Sequence, residues 1–315
     1  MQHRLGTTPS ASTPGIFTSL LALSAPLLRQ FSTLIILLLA LVVFFAPNQN
    51  AHADDEDIIY LGLLPYLSPA ALIKTWRPFA DYLADTLHKR VVIKTAPNFK
   101  TFLKRTEEGR YDLLMTAPHF AVLAASNNGY RIIAGHNNDL AGDIVVAKDS
   151  RFQSIKDLRG KIFAIPSRLA AVSMLAEILL KRHGLTPNKD ITIKVSHAHN
   201  AALIAVAEGR ADAAVALGGL YRRINASKKF RPLRKLTATD AVPHAMYIAK
   251  PSFPETDFLA IQQALTHPIP GSQGASVLAE LNKQYHWGRI VIPSKDNLNR
   301  LTPVLSLLKT LNNPE

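Results

Sequence analysis

The sequence predicts an α/β protein of two doubly wound lobes joined by a two-stranded hinge and preceded by a signal peptide. Three observations carry this. A strand–turn–helix–strand pattern at residues 91–115 recurs at 191–215. Short continuous apolar runs alternate with helical stretches, as expected of strands covered on both faces by crossover helices. One unbroken apolar run, Leu34–Ala46, stands ahead of them all.

Composition narrows the possibilities. The 315 residues are 48% hydrophobic and 19% charged, enough apolar side chain to bury a core. With no cysteine, a disulfide framework, a Cys-ligated metal, a thiol nucleophile and a lipidated N-terminal Cys are excluded. The net charge of +13 favours an anionic partner: nucleic acid, a membrane surface or an acidic solute.

The run LIILLLALVVFFA is too short for the ~20 residues that span a bilayer but suits a signal-peptide core. Ala51-His52-Ala53 supplies a small-x-small cleavage signature, followed by Asp54-Asp55-Glu56-Asp57. Arg4 and Arg29 lie upstream with no acid, so cleavage is expected after Ala53, the alternative being a retained anchor. Export would remove nucleic acid from the list of partners.

The two repeats share Ile93/Ile193, Lys94/Lys194, Leu103/Leu203, Glu108/Glu208, Gly109/Gly209, Arg110/Arg210 and Asp112/Asp212 without a gap. In each, a β-branched run forms a strand, a polar turn follows, and a helix ends at a Gly suited to the left-handed position. The Asp then opens another apolar strand. Upstream of the first copy, Ile58–Leu64 reads as a strand followed by a helix to about His88. Upstream of the second, Lys161–Ile165 reads as a strand followed by a helix from Ala170 to His183. Such alternation predicts parallel sheets with right-handed crossovers. Residues 222–235 read as basic and irregular, Ala245–Ala249 as a strand, and 257–315 as mostly helical. The predicted organisation is a signal peptide over 1–53, a first lobe over 54–145, a second over 146–244, and a return to the first lobe over 245–315.

Ligands of open α/β sheets bind beyond the carboxyl ends of the strands, so matching loops of the two repeats nominate a cleft. The candidate binding residues are Tyr66, His119 and Phe120 from the first lobe and Ser167, Arg168, Ser173 and His199 from the second. His199 either donates to an anionic oxygen or caps a helix. Tyr66 either meets a ligand or packs in the core. Ser167 and Ser173 are hydroxyl donors or N-caps, and Arg168 is an anion candidate. His197 and His199, with His119, lack a further nearby ligand, so no metal is expected. Asp112 and Asp212 read as structural. No nucleophile signature, P-loop, dinucleotide fingerprint or HExxH occurs, so neither catalysis nor a cofactor is expected.

These residues also carry a resemblance. Ile58–Tyr66 with Pro69-Ala70-Ala71 and Trp76–Leu83, then Gly109–Leu113, Ser154–Lys161, and Ser196–His199 through Gly209 and Asp212-Ala213, resemble the phosphonate-binding periplasmic proteins. These are the solute receptors of phosphate, phosphite and phosphonate ABC importers. The resemblance implies a type II periplasmic-binding fold, with Tyr66 and His199 matching the family's ligand-binding Tyr and His. It also exposes departures. Where the family carries a Ser-Thr-Ser-Gly anion cradle, this chain has Ala170-Ala171-Val172-Ser173, and Pro243-His244-Ala245 lacks the family's acid. Three lost donors at about 1–3 kcal/mol each would abolish the usual mode of tight phosphonate binding.

The expected function is therefore a periplasmic, monomeric receptor that closes on a small anionic solute and delivers it to an inner-membrane ABC permease. The alternatives are a ligand-sensing input to a membrane signalling protein, or an enzyme on the same fold.

Overall fold

The computed structural model describes residues 58–312. The expected signal peptide and its cleavage site lie outside the described residues.

The first repeat folds as β1 (Ile59–Leu63), α1 (Pro69–Leu87), β2 (Val91–Lys94), α2 (Phe99–Glu107), β3 (Leu113–Thr116) and α3 (Pro118–Asn128). Ser68 caps α1, accepting from Ala71 N–H, Pro69 supplies a preset φ at its start, and His88 ends it at φ 52°. Its buried Leu72, Trp76, Phe79, Leu83 and Leu87 recur at helical spacing, so one stripe faces the sheet. The second repeat gives β7 (Ile162–Ile165), α4 (Ala171–Arg182), β8 (Thr192–Val195), α5 (His199–Ala207) and β9 (Ala213–Leu217).

The connecting and closing segments contribute β4 (Arg131–His136), β5 (Asp139–Leu140), β6 (Gly142–Ala147), α6 (Leu220–Ala226), β10 (Leu233–Ala238), β11 (Val242–Pro243) and β12 (Met246–Ala249). After these come α7 (Glu255–Thr266), α8 (Gln273–Tyr285), β13 (Ile290–Val291), α9 (Lys295–Asn299) and α10 (Thr302–Asn312). The basic stretch 222–235 is thus not irregular: it holds most of α6 and the start of β10, with Leu233 and Ile224 buried beneath a charged face.

The sheets run β13-β4-β12-β3-β1-β2 and β10-β6-β9-β7-β8. Within each, the repeat's own three strands are parallel. The next strand, β12 on β3 and β6 on β9, is antiparallel. The expectation of purely parallel sheets therefore fails at β12 and β6, each of which arrives from the opposite lobe, and at the edge strand β13, which pairs antiparallel with β4. β6 joins the second sheet from Gly142 onward. Glycine is required there: a Cβ on Gly142 would sit 2.7 Å from Val215 Cγ2. Between the lobes β5 and β11 pair antiparallel, Leu140 with Val242 and Asp139 with Pro243, forming the two-stranded hinge. Arg300 clamps this ribbon, donating to both Asp139 carboxylate oxygens at 2.9 and 2.6 Å and to Ala241 O at 3.0 Å.

Period-two alternation divides the core. On β12, Ala245, Tyr247 and Ala249 face the α1 side while Met246 and Ile248 face inward. On β9, Ala214 and Ala216 face α5, and Ala213 and Val215 face inward. The inward sets of both lobes belong to one continuous apolar cluster. The C-terminal segment departs from a simple return to the first lobe. α7 and α8 pack on α1, but α10 lies against both α4 and α3. Leu301, Val304 and Leu308 are buried in the shared cluster, because the apolar stripe of α10 matches the seam between lobes.

The repeated Asp performs one structural task twice. Asp112 accepts from Tyr60 N–H at 2.6 Å, and Asp212 from Ile162 N–H at 2.9 Å, each tying the start of its neighbouring strand. Asp112 also pairs with Lys250 Nζ at 2.5 Å. Asp112→Ala is expected to cost about 1.5–3 kcal/mol, the value of a hydrogen bond to a charged group, and Asp212→Ala, whose half-buried carboxylate makes the same backbone bond without a Lys partner, less than that. Urea unfolding measures both; equal losses would contradict the role given to Lys250.

Candidate functional site

Between the lobes lies a cavity of about 60 Å3. The first lobe lines it with Leu64 and Tyr66 after β1, Phe99 opening α2, and Met115–Pro118 between β3 and α3. The second contributes Ala170–Val172, His199 and Leu217, and the hinge contributes Leu140, His244 and Ala245. Trp287, beyond α8, completes the wall.

Three helices begin at this cavity: α3 at Pro118, α4 at Ala171 and α5 at His199. Their N-cap residues are Ala117, Ala170 and Ala198, and none makes a side-chain cap, whereas Ser68 and Asn98 cap α1 and α2. First-turn N–H groups generally lack an intrahelical acceptor, and although Ser173 N–H of α4 bonds Ala170 O at 2.9 Å, these ends offer donors and a positive dipole pole. Two side chains in the wall add unmet polar atoms. Thr116 is 1% exposed and His199 8% exposed, and neither Thr116 Oγ1 nor His199 Nδ1 has a hydrogen-bond partner. His244 accepts from Ala245 N–H through Nδ1 at 2.7 Å, which leaves the proton on Nε2.

Tyr66 serves both readings offered by the sequence. Its hydroxyl accepts from Trp76 Nε1–H at 2.9 Å, and its ring meets Tyr285 edge-on at 6.0 Å. Tyr285 in turn stacks on Trp287 at 4.7 Å. An aromatic group anchored in the core thus presents one edge of the cavity.

The sequence over residues 61–296 matches the family of phosphonate ABC-transporter periplasmic substrate-binding proteins. The chain belongs to that family. Among solved structures, it is similar to PhnD1 of Prochlorococcus marinus in complex with methylphosphonate, at 17% identity and TM-score 0.69, covering 81% of this chain and 98% of that one. It is also similar to a binding protein component of an ABC phosphonate transporter from Pseudomonas aeruginosa, at 17% identity and TM-score 0.70, covering 83% and 90%. The sulphonate-binding protein SsuA of Escherichia coli follows at 17% identity and TM-score 0.53, covering 82% and 79%. At these identities the structures establish the shared type II periplasmic-binding fold.

For this family member, the cavity selects among the residues nominated by sequence. Tyr66 and His199 line it; His119, Phe120, Ser167, Arg168 and Ser173 do not. His119 is fully buried and donates from Nε2 to Leu169 O at 3.1 Å, tying the first lobe to the second. Phe120 packs edge-on against Phe99 at 6.0 Å. Ser167 Oγ accepts from Leu169 N–H at 3.2 Å within its own turn, and Arg168 is exposed. Ser173 is buried in the first turn of α4, its Oγ without a partner. The physical reason is a short turn at 166–169 that brings Ala170–Val172, rather than the residues before them, to the cavity. His197 is exposed at φ 63° while His199 is buried, so the H-x-H pair does not converge. Among the described residues, no group of three or more His, Asp or Glu side chains is placed to hold a metal ion. Sequence reasoning omitted Thr116, His244 and Trp287 from the candidates. Trp287 lies outside the repeats, and no periodic signal pointed to it.

Burial keeps the site uncharged. Desolvation lowers the imidazoles of His119, His136 and His199 to about 4 and that of His244 to about 3, the last aided by repulsion from His136. Burial also raises the Tyr66 and Tyr247 hydroxyls far above the ordinary phenol value. His199, held below its ordinary value by burial alone, is therefore neutral at neutral pH. Each of these histidines binds a proton more readily unfolded, near pH 6.5, than folded. Their contribution to stability is complete above about pH 6.5 and is lost as pH falls towards 4. The thermal midpoint should therefore decline between about pH 6.5 and 5, above the carboxylate range. His119→Gln, neutral throughout and able to donate to Leu169 O, should flatten part of that decline. A midpoint constant across this interval would refute the neutral-histidine assignment.

Proposed function

We propose that this chain is the solute receptor of an ABC importer, a non-enzymatic monomer that captures a small anionic solute in the interlobe cavity. It is exported by a signal peptide cleaved after Ala53 and hands its cargo to an inner-membrane permease. The observation that carries the reading is the meeting of three uncapped helix N-termini with the unpartnered Thr116 Oγ1 and His199 Nδ1 in one cavity between lobes. Donors without acceptors in a dry site favour an oxygen-bearing anion. Membership of a family of periplasmic substrate-binding proteins supports the same role.

The two-strand ribbon of β5 and β11 supplies the hinge. In the open state the apolar inner faces and the helix ends would be wet. Closing on a solute replaces water at the N–H groups with the ligand's oxygen atoms and buries the facing apolar residues. The solute therefore favours the closed form by the contacts it makes only there.

Isothermal titration calorimetry of the exported protein against small oxyanions tests the proposal. His199→Ala should weaken the bound oxyanion at least tenfold, about the value of one hydrogen bond to a charged group. The melting temperature of the ligand-free protein should be unchanged. Unaltered affinity, or a variant that fails to fold, would instead assign His199 to the core.

A further inference from the structure

The solute class taken by this cavity follows from its size and charge, given the receptor reading above. A volume of about 60 Å3 holds about four to six water-sized volumes. Propionate, ethanesulfonate and methylphosphonate are all compact enough to be considered, so charge must discriminate among them.

The donors present are weak in total charge. Each helix N-terminus offers about half an elementary charge, and α3 begins with Pro118, which has no N–H to give. Thr116 and His199 add neutral polar groups. None of the lining side chains is Lys, Arg, Asp or Glu. Arg168, the basic residue nearest in sequence to the start of α4, is exposed and outside the lining. Tyr66 and His244 are neutral as well, and the rest of the wall is apolar, with Leu64, Phe99, Met115, Val172 and Leu217 among its members. A phosphonate carries two charges once its second proton is lost, and that second charge would be buried here with no cation to meet it. A carboxylate or sulfonate carries one charge only, and a short alkyl body suits the apolar wall.

We propose that the cavity selects singly charged oxyanions with a short apolar body, carboxylates or sulfonates, over doubly charged phosphonates. The two head groups share the chemistry that matters: one negative charge spread over oxygens that accept from N–H and O–H donors.

Calorimetry on the exported protein at about pH 8, where methylphosphonate is mainly dianionic, compares propionate, ethanesulfonate, methylphosphonate and the neutral isostere propionamide. At least one monoanion should bind tenfold or more tighter than both methylphosphonate and propionamide. Whichever monoanion is the tighter identifies the head group. Thr116→Val, nearly isosteric, should reduce that preference by about tenfold without unfolding the protein. Methylphosphonate or propionamide binding as tightly as the better monoanion overturns the selection but leaves the receptor reading standing. If no probe binds, the selection is overturned, and native mass spectrometry of the protein isolated from the periplasm then decides the reading beneath it. A dianionic or neutral solute found bound leaves a receptor of another class, and an empty protein removes the receptor reading as well.

Discussion

Strand β3 can complete its sheet only by pairing with β12, and β12 reaches it after the chain has passed through the whole second lobe. β6 stands in the same relation to β9. Each lobe therefore depends on a strand delivered across the hinge, and neither sheet closes by itself from its own repeat. This exchange brings β5 and β11 together as a paired ribbon, and Arg300 holds that ribbon from the C-terminal segment. The lobes cannot drift apart without breaking sheet hydrogen bonds, yet the ribbon between them is only two residues per strand. Strong attachment with a narrow connection is the mechanical condition for a clamp.

The same exchange determines what the cavity is made of. Because the inner faces of both sheets belong to one apolar cluster, the site is a gap left in a core rather than a groove cut in a polar surface. Polar atoms inside such a gap are few and uncharged. Thr116 Oγ1 and His199 Nδ1 are left without partners, and the imidazoles around the cavity remain neutral because burial penalises their charged form. The three alanine N-caps extend the pattern: at each helix end the group that would have satisfied the N–H donors from within is missing, which leaves them to a solute.

Much of the fold was legible in the chain because it is duplicated. The coincidence of Gly109 with Gly209 and Asp112 with Asp212 marked equivalent helix ends and strand starts, and the structure gives the two aspartates the same backbone N–H to hold. Continuous apolar runs placed β1, β7 and β9, since a strand covered on both faces leaves that trace. The antiparallel strands were not legible, because apolar residues look alike whichever way a strand runs. Nor was α10, whose stripe fits the seam between lobes as well as it would fit either lobe.

The candidate site divides along the same line. From sequence alone came the loops at the strand ends, the pairing of Tyr66 with His199 through family likeness, and the loss of hydroxyls at Ala170–Val172. All of these depend on local order along the chain. Only the tertiary structure decided that His119 ties the lobes through Leu169 O, that Arg168 faces solvent, and that Thr116, His244 and Trp287 enter the wall. The reason is physical: burial, and with it the charge of these imidazoles, is set by residues distant in the chain, such as Leu169 beside His119, that meet only in the folded protein.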